Sequence, residues 1–176
     1  MVRSAAMDEA PGPVSAIRIR TAAPADAEAI LALERELAEF ERLDGPSPAE
    51  GARLVAWIFE ERRFHALVAE RDGEVCGVAL YFFYPTSFRA RPGMYLEDLV
   101  VSSSGRSTGI GRALMTELAR IAQRENCVRI DWAVLDWNER ALAFYRGLGA
   151  REHLDWLRYG LEAPEIASLA RSRPAE

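Results

Sequence analysis

Cysteine is scarce in this sequence of 176 residues: Cys76 and Cys127 stand in no C-x-x-C pair and in no Cys/His cluster of metal-ligand spacing. A disulfide framework and a bound metal are therefore not expected, and two buried, reduced thiols are. Histidine is equally scarce, and neither His65 nor His153 sits in a triad-like or ligand-like constellation. No apolar run approaches the ~20 residues that a membrane-spanning helix needs, and no basic segment followed by an apolar one opens the chain. The expectation is a cytoplasmic protein with no membrane partner. Positive charge is also in short supply, with 22 Lys and Arg against 27 Asp and Glu and a net charge of −5. That balance supplies no field for a phosphate backbone, argues against nucleic acid as a partner, and leans towards a cationic small molecule.

What is present is an ordinary globular composition, 49% hydrophobic and 28% charged, at a length that fits one domain. Met1 to Ala16, with Pro11-Gly12-Pro13, reads as a loose tail. Ile17 to Thr21 alternates with period two and predicts a strand. Ile30, Leu33, Leu37 and Phe40 recur at helical spacing, with charged residues assigned to the opposite face, and a second helix is expected from about Ser47. His65–Glu70 and Glu74–Tyr84 read as a hairpin closed by Asp72-Gly73. A loop from Pro85 to Gly93 leads to the strand Met94–Val101, and a Ser/Gly-rich turn leads from that strand to another helix. The remaining expectations are a strand over Val128–Leu135, a helix over Asn138–Leu148, a pair of short strands in Arg151–Leu161 and a short helix over Ala163–Arg171. The order describes a mixed α/β layer structure.

Three features carry chemistry. In Arg106-Ser107-Thr108-Gly109-Ile110-Gly111 a strand feeds a glycine-containing loop that opens a helix, so backbone N–H groups and the positive end of the helix dipole converge on one spot suited to an anion. The spacing R-x-x-G-x-G is neither a dinucleotide fingerprint nor a P-loop, and a plain helix start in a solvent loop is the alternative. Glu97 and Asp98 lie inside a strand whose alternation sends Tyr95, Glu97, Leu99 and Val101 to one face and Leu96, Asp98 and Val100 to the other. A pair of functional carboxylates and a structural ion pair with an arginine are both open. Asn138 is suited to cap a helix, and Tyr145, seven residues on, falls on nearly the same face of it, where a core aromatic is the alternative role.

Taken with the order of elements, Arg106, Gly109 and Gly111 resemble the acyl-CoA loop, Gln/Arg-x-x-Gly-x-Gly/Ala, of the GCN5-related N-acetyltransferase (GNAT) superfamily, over about Ile17 to Leu161. Tyr95-Leu96-Glu97-Asp98, Asp136-Trp137-Asn138-Glu139 and Ala143-Phe144-Tyr145-Arg146-Gly147-Leu148-Gly149-Ala150 are most similar to diamine (spermidine/spermine) and thialysine acetyltransferases and their bacterial relatives. The resemblance implies an α/β fold with a mixed, mostly antiparallel sheet of six to seven strands flanked by about four helices. It also implies acetyl-CoA as cosubstrate and a small-molecule primary amine as acceptor. By the same resemblance the pyrophosphate is held by Arg106, Ser107, Thr108, Gly109, Ile110, Gly111 and Arg112. The pantetheine arm lies beside Asn138 and pairs with backbone groups of Leu99, Val100 and Val101 as an added strand does. An acceptor amine with a pKa of about 10.4 arrives protonated, so a base is required, and the resemblance assigns Glu97 to that role with Asp98 as support. Tyr145 is then the acid that protonates the departing thiolate.

Ser107 stands where close relatives have glycine and Gly105 where they have an aromatic. Polyamine acetyltransferases carry an acid in the loop before the Tyr95 strand, whereas this loop holds Arg89 and Arg91. That leans towards an amine that also bears an acid group, such as a thialysine-like amino acid. Asp155 and Trp156 are candidates for the acceptor wall. The divisions expected are a tail over 1–16, the catalytic domain over 17–161 and a C-terminal helix and tail over 162–176. A homodimer is implied by the family alone. A peptide or protein acetyltransferase and a non-catalytic acyl-CoA-binding module are the competing functions.

Overall fold

The computed structural model describes residues 16–106, 108–153 and 157–172. Two compact units divide the chain, residues 1–133 and 134–176. The sheet lies in the first. Its elements in chain order are β1 (Arg18–Thr21), α1 (Ala27–Glu41), α2 (Pro48–Phe59), β2 (His65–Arg71), β3 (Glu74–Thr86), β4 (Arg91–Val101), α3 (Ile110–Arg124) and β5 (Ile130–Asp131). The strands lie side by side in the order β1-β2-β3-β4-β5, antiparallel except for the parallel pair β4 and β5. The second unit contains α4 (Glu139–Arg146) and α5 (Ala163–Arg171), and the latter has the bounds that the sequence predicts.

Local chemistry explains several boundaries. Asp72 and Gly73 both adopt positive φ, 55° and 82°, which matches the twist of the β2–β3 hairpin. Ser47 caps α2 through Glu50 N–H while the Glu50 carboxylate accepts from Ser47 N–H, and Pro48 occupies the first turn. Asp26, buried, accepts from Ala23 N–H and from Arg20 at 2.6 Å, and so ties β1 to the start of α1.

One face of the sheet is covered by α1 and α2: Ile30, Leu33 and Ile58 pack with Ala66, Val68, Val78, Leu80 and Val100. The other is covered by α3. There a Cβ on Gly77 would meet Ile110 at 3.0 Å and Leu114 at 3.4 Å, so glycine permits the close approach of helix and strand.

Five expectations are corrected. The described residues hold five strands, not six or seven. Residues 151–153 and 157–162 form no ladder, and Leu157 and Tyr159 are exposed, so the alternation there has no neighbouring strand to bury one face. The loop expected at Pro85–Gly93 contracts to residues 87–90, because Pro85 pairs with Pro92 and the two missing donors fall at one rung. The Thr86 hydroxyl then closes the hairpin on the Arg91 carbonyl. The strand expected over Val128–Leu135 shortens to Ile130–Asp131, opposite Met94 and Tyr95. Finally, both cysteines are free, but Cys127 is only half-buried.

Candidate active site

The central feature is an extra residue in β4. Asp98 pairs with Leu80 and Leu96 with Tyr81, which leaves Glu97 unmatched in a β-bulge. The bulge overturns the simple alternation expected for this strand. Tyr95, opposite Phe82 with ring centroids 5.3 Å apart, shares the α1 face with Asp98 and Val100. Leu96 and Leu99 share the α3 face, and Glu97 is exposed at the kink. The bulge also explains why β5 stops early: its two rungs lie immediately before the kink, and a bulge twists a strand away from its neighbour. Among the described strands, none pairs with the outer edge of β4 beyond Tyr95, so the outward N–H and C=O groups of that edge have no strand partner, and the Val101 carbonyl accepts from Arg106 Nε at 3.4 Å.

Asp98 does not face an arginine. Among the described residues neither Asp98 nor Glu97 makes an ion pair, which removes the structural-pair alternative. Asp98 meets acids: burial first, then the charges of Glu97 and Glu41, raise its carboxyl to about 6. Glu34 of α1 belongs to the same group. Burial, followed by the charges of Asp98, Glu97 and Glu41, raises its carboxyl to about 8. The sequence reading missed Glu34 and Glu41 because it assigned the acids of α1 to the solvent face. The available signal was spacing, since Ile30, Glu34, Leu37 and Glu41 follow one another at intervals of four, three and four residues and so form one stripe. No group of three or more His, Cys, Asp or Glu among the described residues is arranged to hold a metal ion.

From Asp98 the strand runs directly to the loop. Ser103–Gly105 forms a 3-10 turn, Arg106 is extended, and Gly109 caps α3 with φ of 89°. Only glycine adopts that conformation without strain, and a Cβ there would meet nothing within 4 Å. The α3 N-terminus receives no side-chain cap and has no acidic residue in its first turn, so the amides and dipole of the Ile110, Gly111 and Arg112 turn are left for an external anion. This open, uncapped helix start fits the pyrophosphate of CoA. The Thr108 hydroxyl donates to the Gly105 carbonyl at 2.6 Å and shapes the turn. Arg106 is engaged within the protein: it donates to Glu36 at 3.3 Å and lies 5.7 Å from the Phe40 ring, while Glu36 also accepts from Ser103 N–H at 2.8 Å. Ser107 lies outside the described residues.

In the 134–176 unit, the Asn138 side chain accepts from Ala141 N–H at 3.1 Å and so caps α4 as expected. Tyr145 is half-buried against Phe144, with centroids 5.1 Å apart. No residue of α4 is fully buried, so Tyr145 is not a core aromatic. Asp155 and Trp156 lie outside the described residues. The two loop arginines part company: Arg89 is exposed at the hairpin tip, whereas Arg91 donates to the Asn126 carbonyl at 3.0 Å and to its side chain at the end of α3. Arg91 therefore has a structural task, and the acceptor argument built on two arginines reduces to one.

Comparison with known proteins gives concordant matches. Residues 28–150 match the acetyltransferase (GNAT) family. The chain is 36% identical over 169 residues to a thialysine N-epsilon-acetyltransferase of Mus musculus, covering 89% of this chain and 99% of the relative. It is 28% identical over 185 residues to an L-ornithine N5-acetyltransferase of Arabidopsis thaliana, covering 79% and 81%. Among solved structures, an integron cassette protein from the mobile metagenome of V. cholerae superposes with a TM-score of 0.75 at 29% identity, over 89% of this chain and 98% of that one.

Proposed function

The chain belongs to the acetyltransferase (GNAT) family, and on that footing we propose that it transfers the acetyl group of acetyl-CoA to a primary amine of a small cationic molecule, a diamine or a thialysine-like amino acid. One observation carries the acceptor class: Glu34 and Glu41 of α1 form an acidic cluster with Glu97 and Asp98 of β4, the strand that leads towards the uncapped start of α3. Asp98 stands three residues before the end of β4, and the loop that opens α3 follows that strand directly.

Bound acetyl-CoA supplies an activated thioester. The chain's own residues do the rest. The backbone from Arg106 to Arg112 would hold the pyrophosphate, and the β4 edge at Leu99, Val100 and Val101 would orient the pantetheine amides; the family resemblance assigns Asn138 to the same arm. Asp98 binds the acceptor ammonium. Glu97, exposed at the bulge and so within reach of water, takes the acceptor's proton through a water molecule and leaves a neutral amine to attack the thioester carbonyl. A β4 backbone N–H would stabilise the negative charge that develops on the thioester oxygen, and by the family resemblance the Tyr145 hydroxyl would supply the proton for the departing thiolate. The family resemblance supports the assignments of Tyr145 and Glu97.

The test is thiol release from acetyl-CoA over a panel of thialysine, L-ornithine, polyamines, monoamines and peptides. Turnover concentrated on amines with two cationic groups is the expected result. Acetyl-CoA binding without turnover on any amine would mark a silent binding module, and preference for peptides would mark a protein acetyltransferase.

A further inference from the structure

Two carboxyls in the cluster, Glu34 and Glu41, have no task in the reaction above, and Glu34 is the one with an oxygen sealed from solvent. Glu34 stands on the sheet-facing stripe of α1, four residues after Ile30 and three before Leu37, both of which pack into the apolar layer. A hydrophobic side chain is the ordinary occupant of such a position. Oε1 of Glu34 is sealed from solvent and has no hydrogen-bond partner. The charged groups that act on it are all acidic: Asp98 and Glu97 from β4, and Glu41 from α1 itself. Glu34 as a whole is half-buried, but a carboxylate with one oxygen sealed and unpaired among three other acids is disfavoured unless a proton or a cation accompanies it.

We propose that Glu34 is a specificity residue that reads a second ammonium group on the acceptor: its carboxyl holds a proton in the free protein and surrenders it to solvent when a dicationic amine enters the cluster. The inference rests on the acetyltransferase reading above. The Glu34 O–H bond breaks, the proton leaves to solvent, and the resulting carboxylate pairs with the incoming ammonium, so charge balances. A single ammonium beside Asp98 offsets one of the three neighbouring negative charges; a second ammonium offsets another and gives the Glu34 carboxylate a partner of its own, which favours its ionisation. Spacing supports a long acceptor. Glu34 and Glu41 lie two helical turns, about 10 Å, apart on one stripe, and Asp98 feels the Glu41 charge while acting on Glu34. Burial and the three neighbouring acids hold the free carboxyl up to about 8, so it is neutral at pH 7 in the absence of a cation.

The test is calorimetric titration of the full chain with thialysine and with n-butylamine near pH 7, in two buffers of different protonation enthalpy, alongside thiol-release kinetics. Native protein is expected to release close to one proton on binding thialysine and fewer on binding n-butylamine. In Glu34→Gln, which copies the neutral carboxyl and so preserves the fold, the release is lost. Thialysine affinity in that variant falls about tenfold, a change equivalent to one unit of pKa, while n-butylamine affinity changes little. Glu34→Asp is expected to restore part of the release. Equal proton release in native protein and Glu34→Gln, equal loss for both amines, or no amine binding at all overturns the proposal. Amine turnover with no dependence on Glu34 overturns this inference alone, whereas the absence of turnover on every amine overturns the acetyltransferase reading.

Discussion

Two raised carboxyls, Glu34 at about 8 and Asp98 at about 6, make the free protein's stability pH-dependent. In each the folded state binds a proton more tightly than the unfolded chain does. Their favourable contribution is therefore fully present below the unfolded value near 4.5 for Glu34, and is lost as pH rises through about 8. The melting temperature is expected to fall from about pH 5 to pH 8, and Glu34→Gln should flatten that fall. Above that window Glu34→Leu is expected to stabilise by ~1–3 kcal/mol, because an apolar side chain replaces a half-buried carboxylate whose Oε1 is sealed and unpaired. A pH-independent difference between the variants would mean that Glu34 titrates normally. For Tyr145 the readout is kinetic: Tyr145→Phe should lower kcat by roughly a hundredfold, the scale of a general acid, with unchanged acetyl-CoA affinity.

For the elements, the decisive positions are the start of α3 and the bulge in β4. Gly109 holds φ of 89° with open space where a Cβ would sit, so Gly109→Ala acts mainly through backbone strain, ~1–2 kcal/mol. Acetyl-CoA binding should weaken in that variant by more than the change in stability alone accounts for, which a thermal-shift titration with CoA measures. In the second unit, Asn138→Ala removes the side-chain cap of α4 at a cost of ~1 kcal/mol and should leave acceptor affinity less affected than turnover. The bulge at Glu97 does two things together. It turns Asp98 towards α1 and its acids, and it ends the pairing of β5 after Tyr95, so that the β4 edge is open where the strand approaches the anion loop.

At the level of the whole molecule, the net charge of −5 and the acidic cluster both attract a cationic acceptor. Raising ionic strength from ~10 mM to ~150 mM shortens the screening length from ~30 Å to ~8 Å. The acceptor KM is expected to rise several-fold over that range with little change in kcat. A salt-insensitive KM would count against electrostatic capture. No helix among the described residues is long and apolar enough to cross a membrane.

The sequence by itself determined what depends on near neighbours along the chain. The Asp72-Gly73 turn, the start of α2 near Ser47, the Asn138 cap, the apolar stripe Ile30, Leu33 and Leu37 of α1 and the glycine-bearing loop before α3 are all set within a few turns or a hairpin, and each formed where its residues predicted; Phe40, read into the same stripe, is exposed. Arg106, Gly109 and Gly111 carried the family for the same reason. Tertiary structure alone decided the rest, because it depends on partners distant in the chain. No pattern within β4 shows that Glu97 is the extra residue, since a bulge exists only relative to the register of β3. Nor does α1 alone show that Glu34 lies beneath Asp98, 64 positions later. An acid on an amphipathic helix is ordinarily solvated; the sheet packed against α1 withdraws water from Glu34 and leaves it among like charges. That desolvation turns an ordinary surface residue type into the most perturbed carboxyl described here.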